Sequence, residues 1–136
     1  MQDISKDMLA QARSRDMSDL QGRVTFQQHN FFELQQAHDA SAFFIRQCIH
    51  NWNDRDCIKI LRAFVPALQM CKLGTPLLIN DTILPEPGSK TRFEEHDLRQ
   101  LDIAMLVILG AKQRTEKEFR KLLKEADERF VVTIHP

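Results

Sequence analysis

Residues 41–56 read SAFFIRQCIHNWNDRD. Ala42, Phe43, Phe44 and Ile45 form a short, nearly unbroken apolar run, the pattern of a strand buried on both faces of a parallel sheet, and the strand is predicted over 42–47. Polarity changes at once after it, with His50, Asn51, Trp52, Asn53 and Asp54. Beyond Asp54, Cys57, Ile58, Leu61, Phe64, Val65 and Leu68 recur at helical spacing. Strand, short loop and helix in that order predict an α/β fold. In open sheets of this kind ligands bind beyond the carboxyl ends of the strands, and His50 falls there. An imidazole with an ordinary pKa of roughly 6.5 can accept a proton at neutral pH, so a general base is one role for a histidine so placed. A surface or hydrogen-bonding role is the other.

The chain has 136 residues, room for one domain, expected over 1–136. Lys plus Arg and Asp plus Glu number 19 each, for a net charge of zero, and no long basic run offers a nucleic acid an electrostatic footprint. The lysines and arginines of 112–124 alternate with glutamates, as on a solvated helix face. Cys48, Cys57 and Cys71 are odd in number and match neither a disulfide framework nor a zinc knuckle, which points to a reduced, cytoplasmic setting and structural thiols. No signal peptide is expected in the polar opening. The most apolar segment, 103–109, is too short to span a bilayer.

Met8, Leu9 and Ala12 suggest a first helix, and residues 23–27 a strand. Pro66 is expected to break the helix that follows Asp54, before a strand over 77–81 that ends in Asp81. A loop over 83–90, a helix over 94–109, a capping box of Thr115 with Glu118 opening another helix, and a last strand over 130–134 complete the reading.

Arg46-Gln47-Cys48-Ile49-His50-Asn51-Trp52-Asn53-Asp54 closely resembles the strand-to-loop motif of plant and fungal S-adenosylmethionine-dependent O-methyltransferases of the caffeic acid O-methyltransferase type. The resemblance runs in order through most of the chain. Gly110-Ala111-Lys112-Gln113-Arg114-Thr115 is similar to that family's Gly-x-Lys-Glu-Arg-Thr turn. It implies direct methyl transfer from S-adenosylmethionine, without metal, to a hydroxyl of an aromatic, polyketide-like secondary metabolite, with His50 as the base. Asp81 and Gln113 would orient His50, although Gln113 stands where the family has an acid and cannot stabilise imidazolium by charge. Asp3 would accept from the ribose hydroxyls; Asn30 and Phe31 match the adenine positions. Arg46 and Trp52 complete the cofactor side, and Met105 matches a methionine that touches the acceptor.

Read alone, the same residues have other roles: Asp3 a helix cap or frayed end, Phe31 and Met105 core, Asp81 a turn residue. The four glycines, Gly22, Gly74, Gly88 and Gly110, are isolated. The expected architecture is therefore a partial Rossmann-like methyltransferase fold lacking the first strand, its glycine-rich loop and the last strand. A non-catalytic remnant, inert or associating with an intact relative, is the second functional reading; a homodimer is the other expected association.

Overall fold

The computed structural model describes residues 1–15, 17–20 and 22–134. Its strands are short and every pairing is parallel. β1 (Gln2–Asp3) pairs with β2 (Gln27–Gln28), with Asp3 opposite Gln28. β3 (Phe43–Arg46) pairs with β4 (Leu77–Asn80) from Phe43 opposite Leu77 to Arg46 opposite Asn80. β5 (Ile83–Leu84) pairs with β6 (Arg114–Thr115).

Helices make the crossovers that parallel pairing demands. α1 (Lys6–Arg13) joins β1 towards β2 and is capped by Ser5, whose hydroxyl accepts from the Met8 N–H. α2 (Asp54–Met70) joins β3 to β4, with Asn53 as its N-cap. α3 (Arg92–Leu109) joins β5 to β6 and carries a capping box of Thr91 and Glu94. α4 (Glu116–Ala126) opens with the expected box of Thr115 and Glu118.

The core lies on one side of the β3–β4 ladder. Phe43 and Ile45 point into it from β3, Ile60, Leu61, Phe64 and Ala67 from α2, and Phe119, Leu122, Leu123 and Ala126 from α4. Phe43 and Phe64 meet edge to face at 5.4 Å. Leu61 is fully buried, and burying such a side chain contributes roughly 1.5–3 kcal/mol. Arg62 ties the two helices together by donating to the Glu125 and Ala126 carbonyls at the end of α4, groups a helix leaves unpaired.

Several expectations are corrected. The apolar run of β3 is not buried on both faces: Phe44 is 64% exposed, because α2 and α4 cover one face only. The strand expected over 23–27 is reduced to Gln27–Gln28, where the β1 partner is available. The strand expected over 130–134 is not formed, since those residues join no ladder. Pro66 does not break its helix; α2 runs through it to Met70, forgoing one backbone bond while Phe64 and Ala67 stay buried on the same helix. The expected loop at 83–90 begins as β5, because Ile83 and Leu84 find β6 beside them.

Candidate active site

The candidate residues collect at the carboxyl ends of β1 to β4. After β3 the chain reverses at Gln47, which adopts a left-handed conformation with φ of 46°, and enters a single 3-10 turn at Ile49–Asn51. His50 sits in that turn with its side chain 14% exposed. The apolar-to-polar switch explains the turn: Ile49 is wholly buried and anchors it, while Asn53 starts α2.

Asp81 follows β4 immediately, and its side chain is 1% exposed. Its Oδ2 accepts from the Ile49 N–H at 3.0 Å, and its Oδ1 lies 3.0 Å from His50 Nδ1. Burial pushes the Asp81 carboxyl up, against the lowering effect of His50 and of the backbone N–H groups of His50, Ile49 and Cys48. Gln113, also buried, brings Nε2 to 3.2 Å from the same Nδ1. Its backbone N–H donates to Asp102 Oδ1 on α3.

Two groups thus face one ring nitrogen. A proton on Nδ1 aimed at Asp81 would oppose the amide nitrogen of Gln113. Rotating that amide by half a turn presents Oε1 instead, and Oε1 is otherwise buried without a partner, as is Asp81 Oδ1 outside its approach to the ring. With the amide so turned, Nδ1 is the donor and Nε2 is the free base.

Of the cofactor candidates, Asp3, Asn30 and Phe31 lie at the carboxyl ends of β1 and β2, and Trp52 meets Phe31 there. Asp3 ends β1, is half-buried, and spends Oδ1 on the Ser5 N–H at 2.8 Å; Ser5, and not Asp3, is the helix cap. Asn30 follows β2 and uses Oδ1 to accept from the Phe32 N–H at 3.1 Å, shaping the turn. Phe31 and Phe32 both meet Trp52 edge-on, at 5.8 and 4.9 Å between ring centres. That aromatic cluster joins the β2 turn to the residue two beyond His50. Arg46 is exposed at the end of β3. Met105 is half-buried on α3, the helix that packs on the His50 turn.

Sequence reasoning missed two participants. Arg114 is 1% exposed and donates to the Ile49 and Trp52 carbonyls at 3.2 and 2.9 Å, the two carbonyls that bracket His50. It also grips Asp54 Oδ1 through Nε and Nη2 at 2.9 and 2.7 Å. Burial raises the Asp54 carboxyl, but Arg114 and Lys112 overcome it and hold the group low. Cys57 is the second: its thiol donates to the same two carbonyls at 3.3 and 3.4 Å, and burial pushes it up to about 11. The resemblance placed Arg114 in a matching turn without giving it a role, and spacing marks neither residue, because Cys57 acts on carbonyls and Arg114 on carbonyls and an Asp54 carboxylate 60 residues away.

Residues 2–128 match the O-methyltransferase domain. The chain belongs to that family. It is 60% identical over 132 residues to the O-methyltransferase sol2 of Alternaria solani, covering 97% of this chain and 31% of that protein. It is 38% identical over 118 residues to the 6-hydroxytryprostatin B O-methyltransferase of Neosartorya fischeri, covering 87% and 28% respectively. The chain therefore spans less than a third of the length of these relatives. Among solved structures, LepI in complex with S-adenosylmethionine superposes with a TM-score of 0.74 at 25% identity, over 92% of this chain and 29% of that one. The O-methyltransferase NcsB1 from neocarzinostatin biosynthesis, bound to S-adenosylhomocysteine and 1,4-dihydroxy-2-naphthoic acid, shares the fold at 0.70 and 22% identity, over 92% and 34%. The α/β, partly Rossmann-like architecture is that of this family, whose methyl donor is S-adenosylmethionine. No helix among the described residues is long and apolar enough to cross a membrane.

One part of that cofactor has residues whose chemistry would fit it: Asp3, with Oδ1 on the Ser5 N–H, would turn Oδ2 to a ribose hydroxyl, and Phe31 with Trp52 would offer an aromatic wall for a base. The four glycines stand apart at positions 22, 74, 88 and 110 and do not form a glycine-rich turn.

Proposed function

We propose that this chain carries the proton-accepting centre of an S-adenosylmethionine-dependent O-methyltransferase acting on a hydroxyl of an aromatic secondary metabolite in the cytoplasm. The observation that carries the reading is His50 held by a buried carboxylate, Asp81 Oδ1, 3.0 Å from Nδ1, at the carboxyl end of a parallel strand pair. Asp81 keeps the ring proton on Nδ1 and faces the imidazolium that forms when Nε2 takes the acceptor's hydroxyl proton. Gln113 completes the ring's surroundings without adding charge. Asp3, Asn30, Phe31, Trp52 and Arg46 would hold the cofactor, which supplies an electrophilic methyl group when bound. Met105 would touch the acceptor from α3.

The proton transfer itself is expected to supply about 10²–10⁴ in rate. The test is methyl transfer from labelled S-adenosylmethionine to a panel of phenolic acceptors, with His50→Ala beside the native chain. A loss of that size supports the assignment; an unchanged rate in His50→Ala would remove His50 from the mechanism.

A second reading has its own support. Phe44 on β3 and Phe93, Val107 and Ile108 on α3 are 64%, 91%, 78% and 72% exposed, large apolar side chains left in water. It favours association with a second copy or an intact relative over independent catalysis. Sedimentation over a concentration series tests it: a monomer at every concentration, unchanged by an intact relative, would set it aside.

A further inference from the structure

Arg114 makes five side-chain hydrogen bonds, two of them to the backbone that presents His50, two to Asp54 and one to the Lys112 carbonyl, and nothing in the proposed chemistry uses them. The guanidinium spans the turn: Nη1 reaches the Ile49 carbonyl at 3.2 Å and Nη2 the Trp52 carbonyl at 2.9 Å. Its Nε and Nη2 share Asp54 Oδ1 in the first turn of α2, and Nη1 also reaches the Lys112 carbonyl at 3.3 Å. Asp81 takes the N–H of the same Ile49 from the other side. Ile49 is thus held at both its donor and its acceptor. Arg114 directly follows Gln113, whose amide faces the ring, and its backbone pairs in β6 opposite Ile83, two residues after Asp81. One residue therefore links the His50 turn to the segments that carry both of the ring's neighbours.

From this geometry we infer that Arg114 is a positioning residue that fixes the His50 imidazole against Asp81 and Gln113. A planar fork is required, because two carbonyls and a carboxylate lie around one side chain in different directions; an ammonium carries the same charge without the fork. The Asp54 carboxylate is about half exposed and orients the guanidinium from the solvent side. Lys112 steadies Asp54 in turn, at 3.3 Å, while holding Glu118 at 2.8 Å. The consequence for catalysis rests on His50 being the base, but the placement of the ring does not.

The test is nitrogen-15 NMR of the imidazole rings in the uniformly labelled full chain, which reads which ring nitrogen carries the proton. The native chain is expected to show His50 as a single Nδ1–H form. Arg114→Lys is expected to give a mixture of both forms, with at least a several-fold rise in the minor one. The exposed His96 on α3 serves as an internal reference and should not move. Leu61→Ala, a core truncation that removes none of the turn's hydrogen bonds, should leave the His50 signals as they are, which separates positioning from general loss of stability. A folded Arg114→Lys chain with native His50 signals would overturn the inference, as would a Leu61→Ala chain showing the same change. Should Arg114→Lys fail to fold, Asp54→Asn decides: a shifted His50 population supports the role and an unshifted one refutes it. If His50→Ala leaves methyl transfer intact while Arg114→Lys still redistributes the ring proton, the base assignment falls and the positioning role stands.

Discussion

Replacing Asp81 separates two jobs that one carboxylate performs. Its Oδ2 satisfies the N–H of Ile49, a residue with no exposure, and its Oδ1 faces His50 Nδ1 at 3.0 Å. Asp81→Ala removes both. An orphaned buried donor costs about 1–3 kcal/mol, and the ring contact adds to this, while release from burying the carboxylate returns part of it. The net expectation is a destabilisation of about 1–3 kcal/mol at neutral pH, read from urea unfolding midpoints. Asp81→Asn differs in kind. Its amide oxygen can still accept from Ile49, so stability should change by less than about 1 kcal/mol. Its amide N–H₂, however, must face Nδ1, and with Gln113 turned back to present Nε2 to the same atom, Nδ1 accepts. The ring proton moves to Nε2, the nitrogen that methyl transfer needs unprotonated. Nitrogen-15 NMR should show that exchange of tautomer, and activity should fall by about 10²–10⁴ with the chain folded. An Asp81→Asn chain that keeps the native His50 tautomer, or an Asp81→Ala chain as stable as the native one, would refute the reasoning.

Gln113→Glu should place a second negative charge beside Nδ1 and raise the methyl-transfer rate by about tenfold, the equivalent of about 1.4 kcal/mol; a fall in rate would show that two buried carboxylates repel more than they help. Pro66→Ala should restore a backbone bond inside α2 and stabilise the chain by about 1–3 kcal/mol in urea titration; a loss would mean that ring packing outweighs the missing bond. The Cys57 thiol, pushed up by burial from 9.0 to about 11, contributes stability that is fully present below about pH 9 and is lost as pH rises through about 11. Unfolding midpoints should fall over that window, and Cys57→Ala should remove this part of the slope.

Part of the centre was legible because its logic is local: the apolar run into His50 and the helix beyond Asp54 follow from period and position. The grouping of Asp81 and Gln113 with His50 was implied only by the family resemblance, since position alone reads Asp81 as a turn residue; the structure brings the three together within 3.2 Å. Phe31 and Trp52 also meet as neighbours on one wall. What escaped the sequence depends on partners far along the chain. Phe44 belongs to a run that reads as doubly buried, yet no element covers its face. Ile83 and Leu84 look like loop until β6 lies beside them, and residues 130–134 look like strand but join no ladder. Arg114 was hidden for the same reason. Its partners are carbonyls 62 and 65 residues away, which no spacing of side chains reveals.

The central claim is most directly tested by calorimetric titration of S-adenosylmethionine into the 136-residue chain, with circular dichroism confirming that it is folded and Asp3→Ala titrated alongside. The account predicts saturable binding that weakens at least tenfold, about 1.4 kcal/mol, when the carboxylate proposed to face the ribose is removed. A folded chain that takes up no S-adenosylmethionine, or binds it equally well without Asp3, would contradict it.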